Sequence, residues 1–294
     1  MKKAILIPLI VGGALLTSTV AFFVTGIIYT ANTAKLVTNE YVVDNFSKLN
    51  VETTTANIEF RVSEEKTSKV ICMENSKIPH LVNVEDETLT IKPDDKRNWF
   101  DKAFSFTPYE TNIIIYTSST NFLASNFKAS TGNITVPKDF VFTSLNVETS
   151  TGDSSLKCQV LDEYNVTAST GKVNVETIAK NLNIVTSTGN ITISATLENL
   201  NISASTGSVT LNNTLVGKNL KIKTSTGDVT LNDSDASSID IETSTGYVKG
   251  TLLTYKLFDV KTSTGKVNIP PSILGGNPCN IKTSTGDINI TIKE

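Results

Sequence analysis

The tripeptide Ser-Thr-Gly occurs nine times in this sequence and constrains the fold more than any other feature. Successive copies are 18 to 21 residues apart, with a mean period of about 19. Self-similarity at this period is typical of solenoid proteins, in which each repeat packs mainly against its neighbours. We interpret the glycines of the motif as structural turn residues: Gly132, Gly152, Gly171, Gly189, Gly207, Gly227, Gly246, Gly265 and Gly286.

The residues on both sides of each tripeptide alternate between apolar and polar. Five positions before the glycine, every copy has a large apolar residue, such as Val147, Ile184 or Ile202. Two and four positions after the glycine, apolar pairs such as Ile191 and Ile193 follow. Alternation with a period of two indicates half-buried β-strands. Each repeat is therefore predicted to consist of a strand, a tight bend, a second strand and a return segment.

These repeats predict an all-β fold, a single-stranded right-handed β-helix (β-solenoid) of about 12–13 coils of ~19 residues. A left-handed hexapeptide helix would need apolar sites every six residues, and the gaps here are two, seven and two. The first coil is expected at Leu49–Phe60, with Ala56 in the glycine slot. The 76 residues between Ala56 and Gly132 leave room for about three more coils. Their expected strands are Val70–Cys72, Leu89–Ile91 and Ile113–Ile115.

We divide the chain into an N-terminal membrane segment, a linker and the solenoid domain. The segment 1–34 has no charged residue between Ala4 and Ala34, and it is long enough to cross a bilayer as a transmembrane helix. The linker is 35–45, and the solenoid is 46–294, with irregular coils at 61–125 and regular Ser-Thr-Gly coils at 126–294.

The N-terminal segment is interpreted as an uncleaved single-pass anchor. Cleavage of a signal peptide after a site such as Thr19-Val20-Ala21 is the alternative, but the apolar character continues through Ile28. Lys2 and Lys3 favour an inside N-terminus, which places the C-terminal domain outside the cytoplasm at the cell membrane. The membrane is therefore one expected partner.

Charge and cysteine content exclude several classes of function. The net charge is -3, and since Lys2 and Lys3 are the only charged side chains before Lys35, the remainder carries -5. Binding to nucleic acid, which needs clustered basic residues, is not expected. The three cysteines form no CxxC pair, so we expect buried, inert thiols and neither a disulfide framework nor a zinc site. They are Cys72, Cys158 and Cys279.

No catalytic, cofactor-binding or metal-binding residues are predicted, and the chain is not expected to be an enzyme. A site with paired carboxylates would need Asp directly after the glycine in two adjacent coils, and no two adjacent coils have Asp there. Asp233, Asp235 and Asp240 could bind a cation weakly, although a solvated loop is favoured. His80 is the only histidine and is interpreted as a solitary surface residue. No base accompanies the many Ser and Thr residues that could serve as nucleophiles.

One irregular stretch, residues 93–110, is rich in aromatic and charged residues. It is either a binding loop or a cover over an exposed flank of the solenoid, and the covering role is favoured. The aromatic residues of the candidate binding loop are Trp99, Phe100, Phe104 and Tyr109.

The apolar N-terminal segment followed by serial S-T-G-[DNK]-[IV]-x-[VIL] coils resembles the bacterial putative-adhesin family, a domain of unknown function. The resemblance covers about residues 40 to 294 and implies a right-handed β-solenoid in a membrane-anchored envelope protein, without catalytic residues that can be carried over. The leading functional hypothesis is thus a non-enzymatic, adhesin-like binding or scaffolding protein whose partner is a cell-wall polymer or an envelope protein. The alternative is an envelope-stress sensing protein, and the third choice is a polysaccharide-active enzyme. The oligomeric state is left open.

Overall fold

The computed structural model describes residues 35–95 and 110–294, and their regular secondary structure consists of β-strands. No helix in this part of the chain is long and apolar enough to cross a membrane. The expected anchor, 1–34, lies outside the described residues. The strands are β1 Leu36–Val43, β2 Lys48–Thr53, β3 Asn57–Val62, β4 Ser68–Asn75, β5 His80–Glu85, β6 Thr88–Pro93, β7 Asn112–Thr117, β8 Asn121–Thr131, β9 Ile134–Val136, β10 Val141–Thr151, β11 Ser154–Leu156, β12 Gln159–Thr170, β13 Val173–Thr188, β14 Ile191–Thr206, β15 Val209–Asn212, β16 Leu215–Thr226, β17 Val229–Thr245, β18 Val248–Leu252, β19 Lys256–Thr264, β20 Val267–Asn268, β21 Asn277–Thr285 and β22 Ile288–Ile292.

Each coil of the solenoid has three sides, which we call the first, second and third walls. The first wall is the strand that leads into the Ser-Thr-Gly bend, the second is the short strand after the bend, and the third is the return segment. Strands of neighbouring coils pair in parallel, so that Val147 lies opposite Phe127 on one side and Val166 on the other. The parallel β-solenoid expected from the repeat is therefore confirmed, and the right-handed sense of its winding stays a prediction.

The bends stack directly on one another, and this explains why the motif needs glycine. A Cβ on Gly189 would lie 1.8 Å from the carbonyl oxygen of Gly171 in the coil below. The backbone φ of Gly189 is 151°, a conformation that residues with a side chain rarely adopt. Ten bends form this ladder, in the order Ala56, Gly132, Gly152, Gly171, Gly189, Gly207, Gly227, Gly246, Gly286 and Gly265.

The ladder shows that the solenoid is shorter than expected. Ten bends stack between the terminal positions Ala56 and Gly265. The nine intervals between ten bends, at about 4.8 Å each, give a rod of roughly 43 Å. The expectation of 12–13 coils is wrong because Gly132 stacks directly on Ala56, although 76 residues separate them in sequence.

The inward-facing side chains form one continuous apolar core along the rod. Its N-terminal end is aromatic: the rings of Phe60 and Phe127 are 4.9 Å apart, and those of Phe122 and Phe142 are 5.6 Å apart. Further along, the core consists mainly of Val, Ile and Leu, whose complete burial contributes roughly 1.5–3 kcal/mol per side chain. One 19-residue repeat buries few apolar side chains by itself, but stacking of equivalent residues in successive coils produces a continuous, stable core.

The described residues between β3 and β8 form a cap rather than coils, whereas Asn121–Ser125 already belong to β8 and to the regular first wall. The three predicted strands are present as parts of β4, β6 and β7, but they extend the existing walls. On the first wall, β6 pairs in parallel with β2 and antiparallel with β5. The reversal is made by the two-residue turn Asp86-Glu87, whose φ angles of 47° and 57° are those of the hairpin turns that match strand twist. Such turns usually contain Gly or Asn, so the pair Asp86-Glu87 does not predict a hairpin from the sequence.

The second wall is extended in the same manner. Strand β7 pairs in parallel with β3, β4 pairs antiparallel with β7, and β1 pairs antiparallel with β4. Tyr41 and Val43 of β1 and Val82 and Val84 of β5 pack against the end of the core. The two extended walls thus converge and close the N-terminal end of the solenoid.

The C-terminal end is closed by a change in the order of the coils. Strand β21 lies between β17 and β19, so the last coil in sequence is inserted beneath the preceding one. The outermost strand, β19, is then covered by the loop 269–276. Ile273 N–H donates to the Lys256 carbonyl at 3.1 Å, and Phe258 N–H donates to Ser272 Oγ at 3.0 Å. These bonds satisfy part of an edge that would otherwise invite pairing with another chain.

Candidate functional site

The outer face of the first wall carries rows of asparagine side chains along the rod. Asn146 Nδ2 donates to Asn126 Oδ1 at 2.8 Å, and Asn126 Nδ2 donates to Asn50 Oδ1 at 3.1 Å. A second row runs from Asn219 through Asn199 to Asn181, with N–O distances of 3.0 and 2.9 Å. An amide group offers two donors and an acceptor oxygen with two lone pairs, so a bond to one neighbour in the row leaves further capacity toward solvent. Asn146 is an exception on the donor side, because its Nδ2 also donates to Glu148 Oε1 at 3.2 Å.

The Ser and Thr residues of the motif form a second kind of row beside the asparagines. In the regular coils both side chains are exposed at the bend, for example Ser187 and Thr188. The Thr carbonyl binds the glycine N–H of the adjacent coil, as in the 2.9 Å bond from Gly189 N–H to the carbonyl of Thr206. The backbone is therefore occupied by stacking, whereas the hydroxyl groups face outward at the strand spacing.

The residue after each glycine proves to have a structural role wherever it is Asn or Asp. Its side-chain oxygen accepts a hydrogen bond from the backbone N–H of the same position in the next coil, as in the 2.7 Å bond from Lys172 N–H to Asp153 Oδ1. The acceptors are Asn57, Asn133, Asp153, Asn190, Asp228 and Asp287. These side chains connect coils and leave other residue types at this position, such as Tyr247, for contact with a partner.

One buried polar cluster lies inside the cap and involves His80. Its Nδ1 is 2.6 Å from Glu74 Oε2, its backbone N–H donates to the same oxygen at 2.7 Å, and its Nε2 is 3.2 Å from Thr53 Oγ1. Asn39 Nδ2 donates to Glu74 Oε1 at 2.7 Å. His80 is only 5% exposed, so its interpretation as a surface residue is wrong. The burial of His80 could not be predicted from the sequence, because a single histidine before a strand does not indicate whether its side chain faces inward.

The cluster has the order of a catalytic triad but is closed to substrates. Glu74, His80 and Thr53 could in principle act as orienter, base and nucleophile. Thr53 and Glu74 are each 1% exposed, and the Thr53 hydroxyl accepts the Ala56 N–H at 3.1 Å. A reacting carbonyl cannot reach this hydroxyl, so the geometry supports a structural role.

The three cysteines are buried and free, as predicted. Burial raises the pKa of Cys72, Cys158 and Cys279 to about 12, because the thiolate is poorly solvated in the core. Near Cys72 the carboxylate of Glu74 adds to the effect. The pKa of Tyr41 is also raised, first by burial and then by the charge of Glu74.

The three aspartates considered for cation binding do not form a site. Asp235 forms a buried ion pair with Lys256, whose side chain is fully buried and also donates to the Ala236 carbonyl at 2.7 Å. Asp233 pairs with Lys293 at 2.5 Å on the surface. The solvated-loop interpretation is therefore wrong for Asp235, which is held by the Ala236 N–H and the Thr254 hydroxyl.

The aromatic residues of the predicted binding loop, Trp99, Phe100, Phe104 and Tyr109, lie outside the described residues. Their role stays a prediction. The part of the chain that follows them, Thr111 and β7, is anchored in the cap through the bond from Asn57 N–H to the Thr111 carbonyl at 2.9 Å.

The chain is a solenoid repeat protein. It combines a parallel β-solenoid with stacked glycine bends and rows of polar side chains on an extended outer face. The family model described as Toastrack DUF4097 matches residues 46–193 and again 177–294. The two matches cover most of the chain, which therefore belongs to this family, and the predicted family resemblance is confirmed. No curated protein matches the sequence.

Several solved structures share the architecture. One from Parabacteroides distasonis ATCC 8503, named a putative lipid binding protein, is 17% identical over 87% of this chain and 96% of its own, with a TM-score of 0.52. A putative adhesin from Bacteroides fragilis NCTC 9343 is 18% identical over 87% and 97%, with a TM-score of 0.48. A putative adhesin from Parabacteroides merdae ATCC 43184 is 15% identical over 87% and 96%, with a TM-score of 0.47. At these identities the likeness concerns the fold alone.

Proposed function

We propose that this chain is a non-catalytic binding or scaffolding protein of the bacterial cell envelope, and that the outer face of the first wall binds a repeating, hydroxyl-rich polymer such as wall glycan. The observation that carries the proposal is the pairing of asparagine rows with Ser-Thr hydroxyl rows on one flat ten-stranded wall. Both rows repeat at the strand spacing of about 4.8 Å, so a periodic ligand meets equivalent groups coil after coil.

The chemistry of this face favours a neutral polar ligand. Amide and hydroxyl groups supply both donors and acceptors, and two pairs of opposite charges on the same wall meet across coils. Lys128 pairs with Glu148 at 3.2 Å, and Lys223 pairs with Glu242 at 2.9 Å. Each single contact with such a ligand is weak, but contacts made by several coils at once add through a high effective concentration.

The placement of the rod is part of the proposal. The uncharged segment from Ala4 to Ala34 supports attachment to the membrane, and Lys2 and Lys3 support an extracytoplasmic solenoid. A rod of roughly 43 Å would then present its ladders to wall polymer at a distance from the bilayer. One structural neighbour is named as a lipid binding protein, so lipid is the competing ligand in the test.

Sedimentation with purified, insoluble wall polymer tests the proposal. The full-length chain is expected to co-sediment with the polymer. The row of Asn50, Asn126 and Asn146 continues through Asn165 to Asn183, whose Nδ2 donates to Asn165 Oδ1 at 3.0 Å. The double variant Asn126→Arg/Asn183→Arg places bulky charges in this row and should bind about tenfold more weakly because the contacts act together. The matched control is Thr135→Arg/Asn174→Arg, which places the same charges on exposed positions of the second wall.

The two variants separate the outcomes. Equal binding by both variants would refute the first wall as the binding surface, and absence of wild-type binding would refute the polymer ligand. Binding to lipid vesicles that lack polymer, retained by a chain shortened to begin at Lys35, would favour the lipid alternative instead. Far-UV circular dichroism and the melting temperature of each variant verify that the coils remain intact.

A further inference from the structure

We propose that Cys72, Glu74 and His80 form a zinc site inside the N-terminal cap. Their ligand atoms, one sulfur, one carboxylate oxygen and one imidazole nitrogen, all lie within 4.8 Å of one another. These are the three ligand types that protein zinc sites use, at bond lengths of about 2.0 to 2.3 Å. Ligand atoms around a tetrahedral ion lie roughly 3.3 to 3.8 Å apart, so the His80–Glu74 pair, now 2.6 Å apart, would open slightly around the ion and Cys72 Sγ would lie within reach of it.

The strands place these ligands without any motif that the sequence would reveal. Cys72 and Glu74 are alternate residues of β4, so both side chains point into the cap. His80 begins β5 and brings its ring against Glu74 from the other wall. The spacing Cys-x-Glu, with five residues between Glu74 and His80, differs from the paired CxxC pattern of zinc fingers.

The groups around the ligands resemble the supporting shell of a metal site. His80 approaches Glu74 through Nδ1, and its second nitrogen, Nε2, is 3.2 Å from Thr53 Oγ1. A zinc-binding histidine characteristically engages a polar partner through its other nitrogen, which fixes the ring. Asn39 holds the second oxygen of Glu74 in the same way. The ion would enter between Nδ1 and Oε2, now 2.6 Å apart, by moving them apart by less than 1 Å.

Burial fits an ion held inside the cap. Cys72, Glu74 and His80 are 0%, 1% and 5% exposed, and a buried carboxylate is tolerated where it is paired or coordinates a metal ion. The three side chains supply three ligands, and a water molecule would occupy the fourth position of the tetrahedron. The ligands come from β4 and β5, and the side chains that support them, Asn39 and Thr53, come from β1 and β2. The ion would therefore stabilise the packing of the strands that close the rod.

The test uses the purified full-length chain, stripped with a chelator and then titrated with Zn²⁺ or Co²⁺. We expect one ion per chain, a thiolate-to-cobalt charge-transfer band, and a melting temperature that rises with zinc and falls with chelator. Cys72→Ala should lose the charge-transfer band, and His80→Gln should bind the metal ion more weakly than the wild-type chain. The matched control is Cys158→Ala, which removes an equally buried thiol with no His or Glu beside it and should retain the site.

X-ray absorption of the zinc-loaded wild-type chain decides the matter even if the variants fail to fold. The expected spectrum has one sulfur at about 2.3 Å and nitrogen or oxygen ligands at about 2.0 to 2.1 Å. Absence of a sulfur ligand, a charge-transfer band that persists in Cys72→Ala, or a melting temperature insensitive to zinc would each overturn the proposal.

Discussion

Substitution of a bend glycine by alanine tests whether stacking of the bends specifies this fold. In Gly189→Ala the new methyl group would lie 1.8 Å from the Gly171 carbonyl oxygen, so the two coils must separate there by more than 1 Å. The φ of 151° costs an alanine about 1–2 kcal/mol. Separation also lengthens the 3.1 Å bond from Gly171 N–H to the Thr188 carbonyl, which is worth about 1 kcal/mol.

These contributions predict that Gly189→Ala lowers the free energy of unfolding by at least about 3 kcal/mol, allowing for the packing lost around the bend. Two other glycines serve as controls. Gly275 has a φ of 82° but no atom within 4 Å of an added Cβ, so its alanine variant should lose only about 1–2 kcal/mol. Gly217 has no positive φ, and its nearest contact would be an ordinary 3.6 Å, so its variant should lie within about 1 kcal/mol of wild type.

Urea unfolding followed by far-UV circular dichroism measures all three variants, with the midpoint and slope compared at one temperature. The expected order of stability is wild type and Gly217→Ala, then Gly275→Ala, then Gly189→Ala. A Gly189→Ala variant no less stable than Gly275→Ala would refute the close stacking of the bends, because both carry the penalty of an unfavourable φ and only Gly189 has a neighbour within contact distance.

Four further predictions concern other parts of the rod. Lys256→Met leaves the Asp235 carboxylate buried without its cation and should cost about 3–5 kcal/mol by calorimetry, part of which Asp235→Asn in the same chain returns. Thr186→Val replaces a buried hydroxyl that has no partner and should raise the urea midpoint by the equivalent of about 1 kcal/mol. The buried thiols of Cys158 and Cys279 bind their protons more tightly when the chain is folded than when it is unfolded. Stability is therefore fully present below their ordinary pKa of 9.0 and should fall as the pH rises toward 12, and a thiol reagent should label neither of them before unfolding. Lys223→Gln removes an exposed ion pair and should leave the urea midpoint within experimental error.

The regular coils could be predicted from the sequence because their information is local and repeated. Each apolar position before a glycine recurs at the same offset, and residues such as Val147 and Val166 lie opposite each other as the alignment of the repeats requires. Small residues three positions before the glycine, such as Thr186 and Ala204, are buried at the bend. Repetition amplified a signal that one coil alone would not have provided.

The ends could not be predicted, because their information is neither local nor repeated. The hairpin at Asp86-Glu87 depends on two non-glycine residues with positive φ, which the composition of that stretch does not announce. The insertion of β21 beneath β19 leaves the repeat pattern unchanged, since each coil still presents the same residues to its neighbours. For the same reason the sequence could not show that His80 meets Glu74 inside the cap.

The variable residue after each glycine, which at first seems to be the natural source of specificity, divides into two groups with different physical roles. Asn and Asp at this position satisfy a backbone N–H of the next coil, and their replacement would leave that amide without its side-chain partner. The side chains of Lys172, Ser208 and Tyr247 make no such bond to the next coil. Their backbone N–H groups instead donate to the Asp or Asn side chain of the preceding coil. Variation at this edge is therefore partly a requirement of stacking. The asparagine row of the first wall, in contrast, runs through six successive coils from Asn50 to Asn201 before Lys221 ends it. Stacking does not need these polar groups in every coil, which is why we propose the binding surface there.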